Sequence, residues 1–279
     1  MTLPPGEIER VIDAALAEDL GSGDITTCAV VPAGARLRLV MRTRQAIVLA
    51  GIDVAAAVFR RLDPKAKIEI LARDGERLEA GAALARIEGE AGGLLTAERT
   101  ALNLVQVLSG IATATRAYVE RIAGTGAVLL DTRKTLPGLR ALSKYATRMG
   151  GATNHRMRLD DGILIKDNHI AIAGGVAEAV RHARAGRDGI RDVRVECDTL
   201  DQVRDALAAG ADSILLDNMD TATLRKAVEL VAKRVPLEAS GGVTLANIRA
   251  IAETGVDFVS TGKITQAAPA ADIGLDIAE

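Results

Sequence analysis

Six places in the sequence put charged or turn-forming residues directly after a short apolar run. AVLL leads into Asp131-Thr132-Arg133-Lys134, GILI into Lys166-Asp167-Asn168-His169, VRV into Glu196, SILL into Asp217-Asn218, PLEA into Ser240-Gly241-Gly242, and DFV into Ser260-Thr261-Gly262. One charge after an apolar run means only that a loop begins; six favour a shared site. Residues 131–169 hold eight Lys or Arg and four Asp, a net charge of +4 in a chain whose total is −2. A basic pocket in an acidic chain attracts a small anion with several charges. Arg140, Lys144 and Arg148 recur at four-residue spacing and read as a solvated helix face. Arg133, Lys134 and Lys166 do not, because an unpaired charge beside a core is costly. An arginine fork matches a carboxylate or phosphate at two points. Backbone N–H groups in the Ser240-Gly241-Gly242 and Thr261-Gly262 turns, at the start of the following helices, suit a phosphate. Glu196 and Asp217 suit Mg²⁺, sugar hydroxyls or developing positive charge. The competing reading is an ion pair with a pocket Lys or Arg.

The elements that must position these residues alternate regularly. Helical stretches such as LDQVRDALAAG and TATLRKAVELVAK lie between several of the apolar runs. Such alternation implies parallel strands with right-handed crossovers. Six units suggest a closed or nearly closed α/β barrel, whose active site forms where the carboxyl ends of the strands converge. No GxGxxG or GxxxxGK[ST] motif supports a Rossmann or P-loop fold. Upstream, Ile8, Val11, Ile12, Ala15 and Leu16 mark a helix with Gly21 as its stop, and GSGDITT reads as a loop. Residues 36–88 alternate apolar and polar with Asp-Gly and Ala-Gly turns, the pattern of short antiparallel strands. They are like the folded edge of biotinyl and lipoyl carrier domains, but the modifiable lysine is missing. A long helix then carries Leu102, Val105, Leu108 and Ile111, with Thr96 as its expected N-cap.

Composition excludes several classes. The 279 residues are 48% hydrophobic and 26% charged, enough apolar surface for a core and too much for disorder. Only two Tyr, two Phe and no Trp occur, so a base-stacking platform is hard to build. With the mild acidity, this argues against nucleic acid as partner. Cys28 and Cys197 make no CxxC spacing, so neither a zinc ribbon nor a disulfide framework is expected. No signal peptide and no transmembrane run are read, which makes the cytoplasm the expected compartment and a membrane no partner.

The longer motifs are specific. DTRKTLPGLRALSKYA, GGATNHRMRLDDGILIKDNHI, VECDTL, ILLDNM, EASGG and VDFVSTGKIT together resemble the quinolinate phosphoribosyltransferase family, a type II phosphoribosyltransferase family. EDLGSGDITT and AERTALNLVQVLSGIAT match as well, so the resemblance covers almost the whole chain. It implies a pentosyltransferase that converts quinolinate and phosphoribosyl pyrophosphate into nicotinate mononucleotide, pyrophosphate and CO₂ in NAD biosynthesis. Mg²⁺ is implied and no organic cofactor. The implied fold is α/β: a C-terminal TIM-like, incomplete barrel over 109–265 and an N-terminal α+β open sandwich over 1–108, with the tail 266–279 packing back on the sandwich. The implied assembly is a homodimer whose Arg99 reaches into the neighbour's active site, with hexamers as the larger alternative.

By the same resemblance Lys134, Lys166, Glu196 and Asp217 are catalytic. Arg99, Thr132, Arg133, Lys134, His155, Arg156, Lys166, Glu196, Asp217, Ser240, Gly241, Gly242, Thr261 and Gly262 bind substrate. Glu196 and Asp217 hold Mg²⁺ directly or through pyrophosphate and water. His155, between Asn154 and Arg156 in a basic loop, reads as functional, His169 as structural and His182 as a surface residue. Leu136, Cys197 and Lys263 depart from the family pattern, and Lys263 bears on phosphate geometry. Three other readings compete: a relative of molybdenum-transport operons with unknown substrate, a non-catalytic anion-binding barrel, and a metal-dependent aldolase or hydrolase using His155, His169 and Asp167.

Overall fold

The structure, a computed structural model, describes residues 5–186 and 192–278. In chain order its elements begin with α1 (Pro5–Leu20), α2 (Ile25–Val30), β1 (Arg36–Thr43), β2 (Ile47–Val48), α3 (Ile52–Leu62), β3 (Lys67–Ile70), β4 (Arg77–Leu78), β5 (Ala83–Glu90) and α4 (Ala91–Arg121). Then come β6 (Val128–Leu130), α5 (Arg140–Met149), β7 (Ile163–Ile165), α6 (Asp167–Ala173), α7 (Val176–Ala185), β8 (Val193–Cys197), α8 (Leu200–Ala208), β9 (Ser213–Asp217) and α9 (Thr221–Val231). The last are β10 (Leu237–Ser240), α10 (Ile248–Ala252), β11 (Phe258–Ser260), α11 (Lys263–Gln266) and β12 (Ile273–Ile277). Contacts group them into two units. One holds Met1–Arg116, Thr135–Gly151 and Ile264–Glu279; the other holds Ala117–Lys134 and Ala152–Lys263.

In the first unit an antiparallel sheet runs β12-β1-β5-β3, beside a short β2-β4 ladder. Alternation decides which face is covered. In β1, Leu39, Met41 and Thr43 are buried while Arg36 and Arg38 are exposed. The buried face joins a core built from Val11, Ile12 and Leu16 of α1, Val58 and Phe59 of α3, and Leu94, Leu102, Val105 and Leu108 of α4. The segment before β12 lies against α4: Ala271 N–H donates to the Gln106 carbonyl at 2.9 Å, and Gln106 Nε2 donates to the Ile273 carbonyl at 2.7 Å.

Three local expectations are corrected. GSGDITT is not all loop, because Asp24 caps α2 by accepting from Thr27 N–H at 2.9 Å. Thr96 is no N-cap: α4 already begins at Ala91, and the Thr96 hydroxyl donates to Asp24 Oδ2 at 3.0 Å. α4 runs unbroken across the expected 108/109 boundary to Arg121, with Ser109 fully buried, and residues 135–151 group with the first unit. Lys144 lies on a helix as expected but is fully buried rather than solvated.

The second unit is a six-stranded parallel sheet in the order β6-β11-β10-β9-β8-β7. The first strand therefore lies beside the last, the cyclic order of a barrel. Among the described residues β6 and β7 remain edges, and a Leu130–Thr153 bridge extends β6. All six apolar runs are strands of this sheet, an incomplete α/β barrel. Alternation again sorts the faces: in β8, Val193, Val195 and Cys197 are buried while Arg194 and Glu196 are half-buried. Among the described residues no helix is long and apolar enough to cross a membrane.

A Cβ at Gly110 would sit 2.0 Å from the Pro269 carbonyl oxygen, whereas one at Gly92 would meet only Thr27 Cγ2 at 3.7 Å. Alanine normally gains about 1 kcal/mol over glycine inside a helix. Gly92→Ala is expected to be neutral or stabilising. Gly110→Ala is expected to lose about 1–3 kcal/mol through overpacking. Denaturant unfolding of both variants measures the contrast, and equal midpoints would contradict this packing.

Candidate active site

The carboxyl ends of β6 to β11 surround a cavity of about 390 Å³. The i, i+2 periodicity of each strand brings its polar residue and the one two places earlier to the same face. The cavity wall thus takes Leu164 with Lys166, Leu215 with Asp217, and Glu238 with Ser240. Thr132, Arg133, Lys134, His155, Arg156 and Glu196 complete the anticipated part of the wall. A larger hollow of about 490 Å³ lies along β1, β3 and β5 in the first unit. There Arg38, Lys67, Glu69, Arg86 and Glu88 mix both signs along exposed strands, so no single charge converges on it.

Cations dominate the cavity. Arg133 is half-buried, and its Nε is buried without a hydrogen-bond partner. Arg156 Nη1 donates to the Gly162 carbonyl at 2.8 Å. Burial first, then neighbouring Arg133, holds the Arg156 pKa below its ordinary value. That is the electrostatic sign of a site short of negative charge. Lys166 Nζ pairs with Glu196 Oε2 at 2.7 Å, so the ion pair weighed for Glu196 does form. Burial, reinforced by Asp198, raises the Asp217 pKa, while Lys166 and Lys134 oppose the rise. Asp217 Oδ2 also accepts from Asn218 Nδ2 at 2.6 Å.

Buried acids hold the loop that carries His155 and Arg156. Asp131, fully buried, accepts from His155 N–H at 2.9 Å and from Asn154 Nδ2 at 2.6 Å. Thr153 N–H donates to the Leu129 carbonyl at 2.9 Å. His169 Nδ1 accepts from Lys166 N–H at 2.9 Å, which fixes the junction of β7 and α6. Asp131, Arg194 and Glu238 carry no role in the sequence reading. Arg194 and Glu238 sit two residues before Glu196 and Ser240, so strand alternation could have placed them on the same wall.

The glycine turns lie next to the cavity rather than in its lining. Gly241 and Gly242 both adopt positive φ, 86° and 60°. A Cβ at Gly241 would strike Asn218 Oδ1 at 2.2 Å. A Cβ at Gly262 would press on Lys134 Cβ and Cδ at 3.0 Å, so glycine lets β6 and β11 approach there. Thr261 is buried; its hydroxyl donates to the Val243 carbonyl and accepts from Lys263 N–H, both at 3.2 Å. The expected helix starts are weak: α10 begins only at Ile248, and α11, opened by exposed Lys263, is four residues long. Arg99 is exposed on α4 in the first unit. Among the described residues no three His, Cys, Asp or Glu lie close enough to hold a metal ion. The His155–His169–Asp167 reading therefore finds no support.

A parallel barrel whose strand ends gather cations around two acids defines a protein that handles a small polyanion. Residues 111–276 match the family described as quinolinate phosphoribosyl transferase, C-terminal domain, and residues 24–109 match its N-terminal domain. The chain belongs to the quinolinate phosphoribosyl transferase family. It is 47% identical over 272 residues to the nicotinate-nucleotide pyrophosphorylase [carboxylating] of Mycobacterium leprae, covering 95% of each chain. The chloroplastic Arabidopsis thaliana protein of that name is 38% identical over 293 residues, 98% of this chain and 84% of the relative. The crystal structure of the nicotinate-nucleotide pyrophosphorylase from Ehrlichia chaffeensis is 41% identical, superposes with a TM-score of 0.94 and covers all of both chains. The Francisella tularensis structure is 40% identical with a TM-score of 0.95, covering 99% of this chain and 98% of that one.

Because its pKa is raised, the ionised Asp217 side chain is disfavoured by the folded state. The cost exists above the folded pKa and vanishes below the unfolded one. Asp217→Asn is expected to melt higher than the parent at pH 7–8, with the difference shrinking as the pH falls through the carboxylate range. A variant that melts lower at every pH would contradict this electrostatic assignment.

Proposed function

We propose that the protein transfers the phosphoribosyl group of phosphoribosyl pyrophosphate to quinolinate, releasing pyrophosphate and CO₂ and leaving nicotinate mononucleotide for NAD biosynthesis. The convergence of Arg133, Arg156 and Lys166 on one cavity that also holds Glu196 and Asp217 carries this reading. Quinolinate bears two adjacent carboxylates, and Arg133, His155, Arg156 and Lys166 offer donors for both. Leu164 and Leu215 provide the apolar surface for the ring.

The pyridine nitrogen attacks the anomeric carbon, and the bond to pyrophosphate breaks with the electron pair leaving on oxygen. Positive charge grows on the ribose, where Glu196 and Asp217 stabilise it. Lys134, packed on Gly262, neutralises the departing pyrophosphate, and the Ser240–Gly242 and Thr261-Gly262 turns hold phosphate through backbone N–H groups. As CO₂ leaves, the electron pair of the carbon–carboxylate bond stays on the ring carbon, where the adjacent positive nitrogen stabilises it; that carbanion then takes a proton, and no organic cofactor is required. Preorganised charges of this kind contribute about 3–4 kcal/mol per donor.

Glu196 and Asp217, two carboxylates at the strand ends, suit a cation that keeps its waters and rides on substrate phosphates. Glu196 and Asp217 would hold such a Mg²⁺ ion, which supplies charge neutralisation for pyrophosphate. The protein acts as a cytoplasmic homodimer, or a hexamer of such dimers, in which Arg99 enters the neighbour's cavity. The relatives described above all carry the pyrophosphorylase name, so the molybdenum-operon reading is not favoured.

Purified protein with Mg²⁺, phosphoribosyl pyrophosphate and quinolinate should release pyrophosphate and CO₂ in equal amounts. Pyrophosphate release with nicotinate but not quinolinate would overturn the assignment. Arg99→Ala and Lys166→Ala proteins, each inactive alone, should regain partial activity when mixed and allowed to exchange subunits. Absence of recovery would count against a shared site.

A further inference from the structure

Asn218 directly follows the last residue of β9, and the reaction scheme above gives it no task. Among the described residues it is one of three other than glycine with a positive φ, 54°. Asparagine reaches this left-handed conformation more readily than most L-residues. Its backbone N–H donates to the Ser240 carbonyl at 3.0 Å, which ties the end of β9 to the end of β10. We propose that Asn218 is a positioning residue: its amide holds the Asp217 carboxylate in one orientation against the Ser240–Gly242 turn, so that carboxylate and turn meet phosphoribosyl pyrophosphate as one rigid unit. The proposal rests on the reaction assigned above and deepens its substrate recognition.

The terminal torsion of an aspartate is soft, so a carboxylate at a strand end needs a partner to fix it. Asn218 Nδ2 supplies one by donating to Asp217 Oδ2 at 2.6 Å. A carboxylate has about four acceptor positions, and this bond uses one of them. Among the described residues no other hydrogen bond reaches Asp217, so Oδ1 remains for a ribose hydroxyl or a hydrated cation. The choice of partner matters. Lys166 is engaged by Glu196 at 2.7 Å, and a neutral amide orients Asp217 without cancelling its charge, as a lysine would. The other half of the amide faces the turn. A Cβ at Gly241 would strike Asn218 Oδ1 and Cγ, so the glycine that shapes the turn also makes room for the amide. Asp217 and Ser240 are register partners across β9 and β10. Asn218 therefore joins them twice, through its backbone to Ser240 and through its side chain between Asp217 and Gly241.

Asparagine also simply suits a left-handed turn, and the test must separate that from a role for its amide. Asn218→Gly keeps the backbone conformation without steric strain and removes the donor. Asn218→Asp keeps the shape and sets a second carboxylate against Asp217. If only the backbone matters, both full-length variants behave as wild type. The proposal expects kcat/KM for phosphoribosyl pyrophosphate to fall about tenfold in Asn218→Gly, the scale of one lost hydrogen bond to a charged group. The loss in Asn218→Asp should be larger, because like charges meet there. The quinolinate KM of Asn218→Gly should stay within about threefold of wild type. Calorimetric titration with pyrophosphate and Mg²⁺ should show about tenfold weaker binding to Asn218→Gly, a readout that needs no turnover. Variants that both keep the wild-type kcat/KM and pyrophosphate affinity would overturn the proposal. So would a quinolinate KM that rises in Asn218→Gly as far as kcat/KM for phosphoribosyl pyrophosphate falls, the mark of a generally loosened site. Should Asn218→Gly not fold, Asn218→Asp decides by the same measurements. A wild type that binds pyrophosphate with Mg²⁺ more tightly than Asn218→Gly yet fails to turn over quinolinate counts against the assigned reaction alone.

Discussion

Like charges held together in a half-buried cavity set the terms for the rest of this structure. Arg133, Arg156, Lys134 and Lys166 share one wall with Arg194 close behind, and Arg156 is destabilised as a cation by burial and by Arg133. Holding such a cluster together is costly, and ties to acids, a carbonyl and a hydroxyl offset the cost for several of its members. The ties are specific: Lys166 to Glu196, Arg156 to the Gly162 carbonyl, Arg194 to Glu238 and Ser213. What the ties leave over is a surplus of positive field, which a dicarboxylate and a phosphorylated sugar can satisfy.

The surrounding fold is organised to keep that surplus in place. Parallel strands deliver one polar residue each to the same rim, and alternation sets a second layer of side chains below it. Asp131 clamps the loop between α5 and β7, which carries two of the cavity's residues, His155 and Arg156. Glycine at 262 is required by closeness: Lys134 and Thr132 crowd the place a side chain would take. The contacts that would preorganise the site for the proposed reaction are therefore the same ones that make the bare cavity costly.

Position decides the character of single residues. Lys166 and Lys144 are both lysines of the basic segment. Lys166 follows a strand end and meets Glu196, whereas Lys144 faces the interior of a helix packing and is fully buried. Glu196 and Glu238 are both acids on the inner wall, but one is half-buried beside a lysine and the other is sealed between a histidine and an arginine.

Much of this was legible in the sequence, because period and sign are local properties. Six apolar runs followed by charges define the strands and their rim, and nine of the anticipated site residues line the cavity. The DTRKT…PGLR and NHR…LIKDNH segments are long and specific, and they carry the resemblance to the family. The sequence alone could not show that Lys144 turns inward, that Thr96 lies inside α4, or that the glycine turns flank the cavity instead of lining it. Nor could it show that Arg194 and Glu238 enclose His155. Those depend on which segments meet across distances of tens of residues, and burial and pairing belong to that meeting rather than to any one stretch of chain.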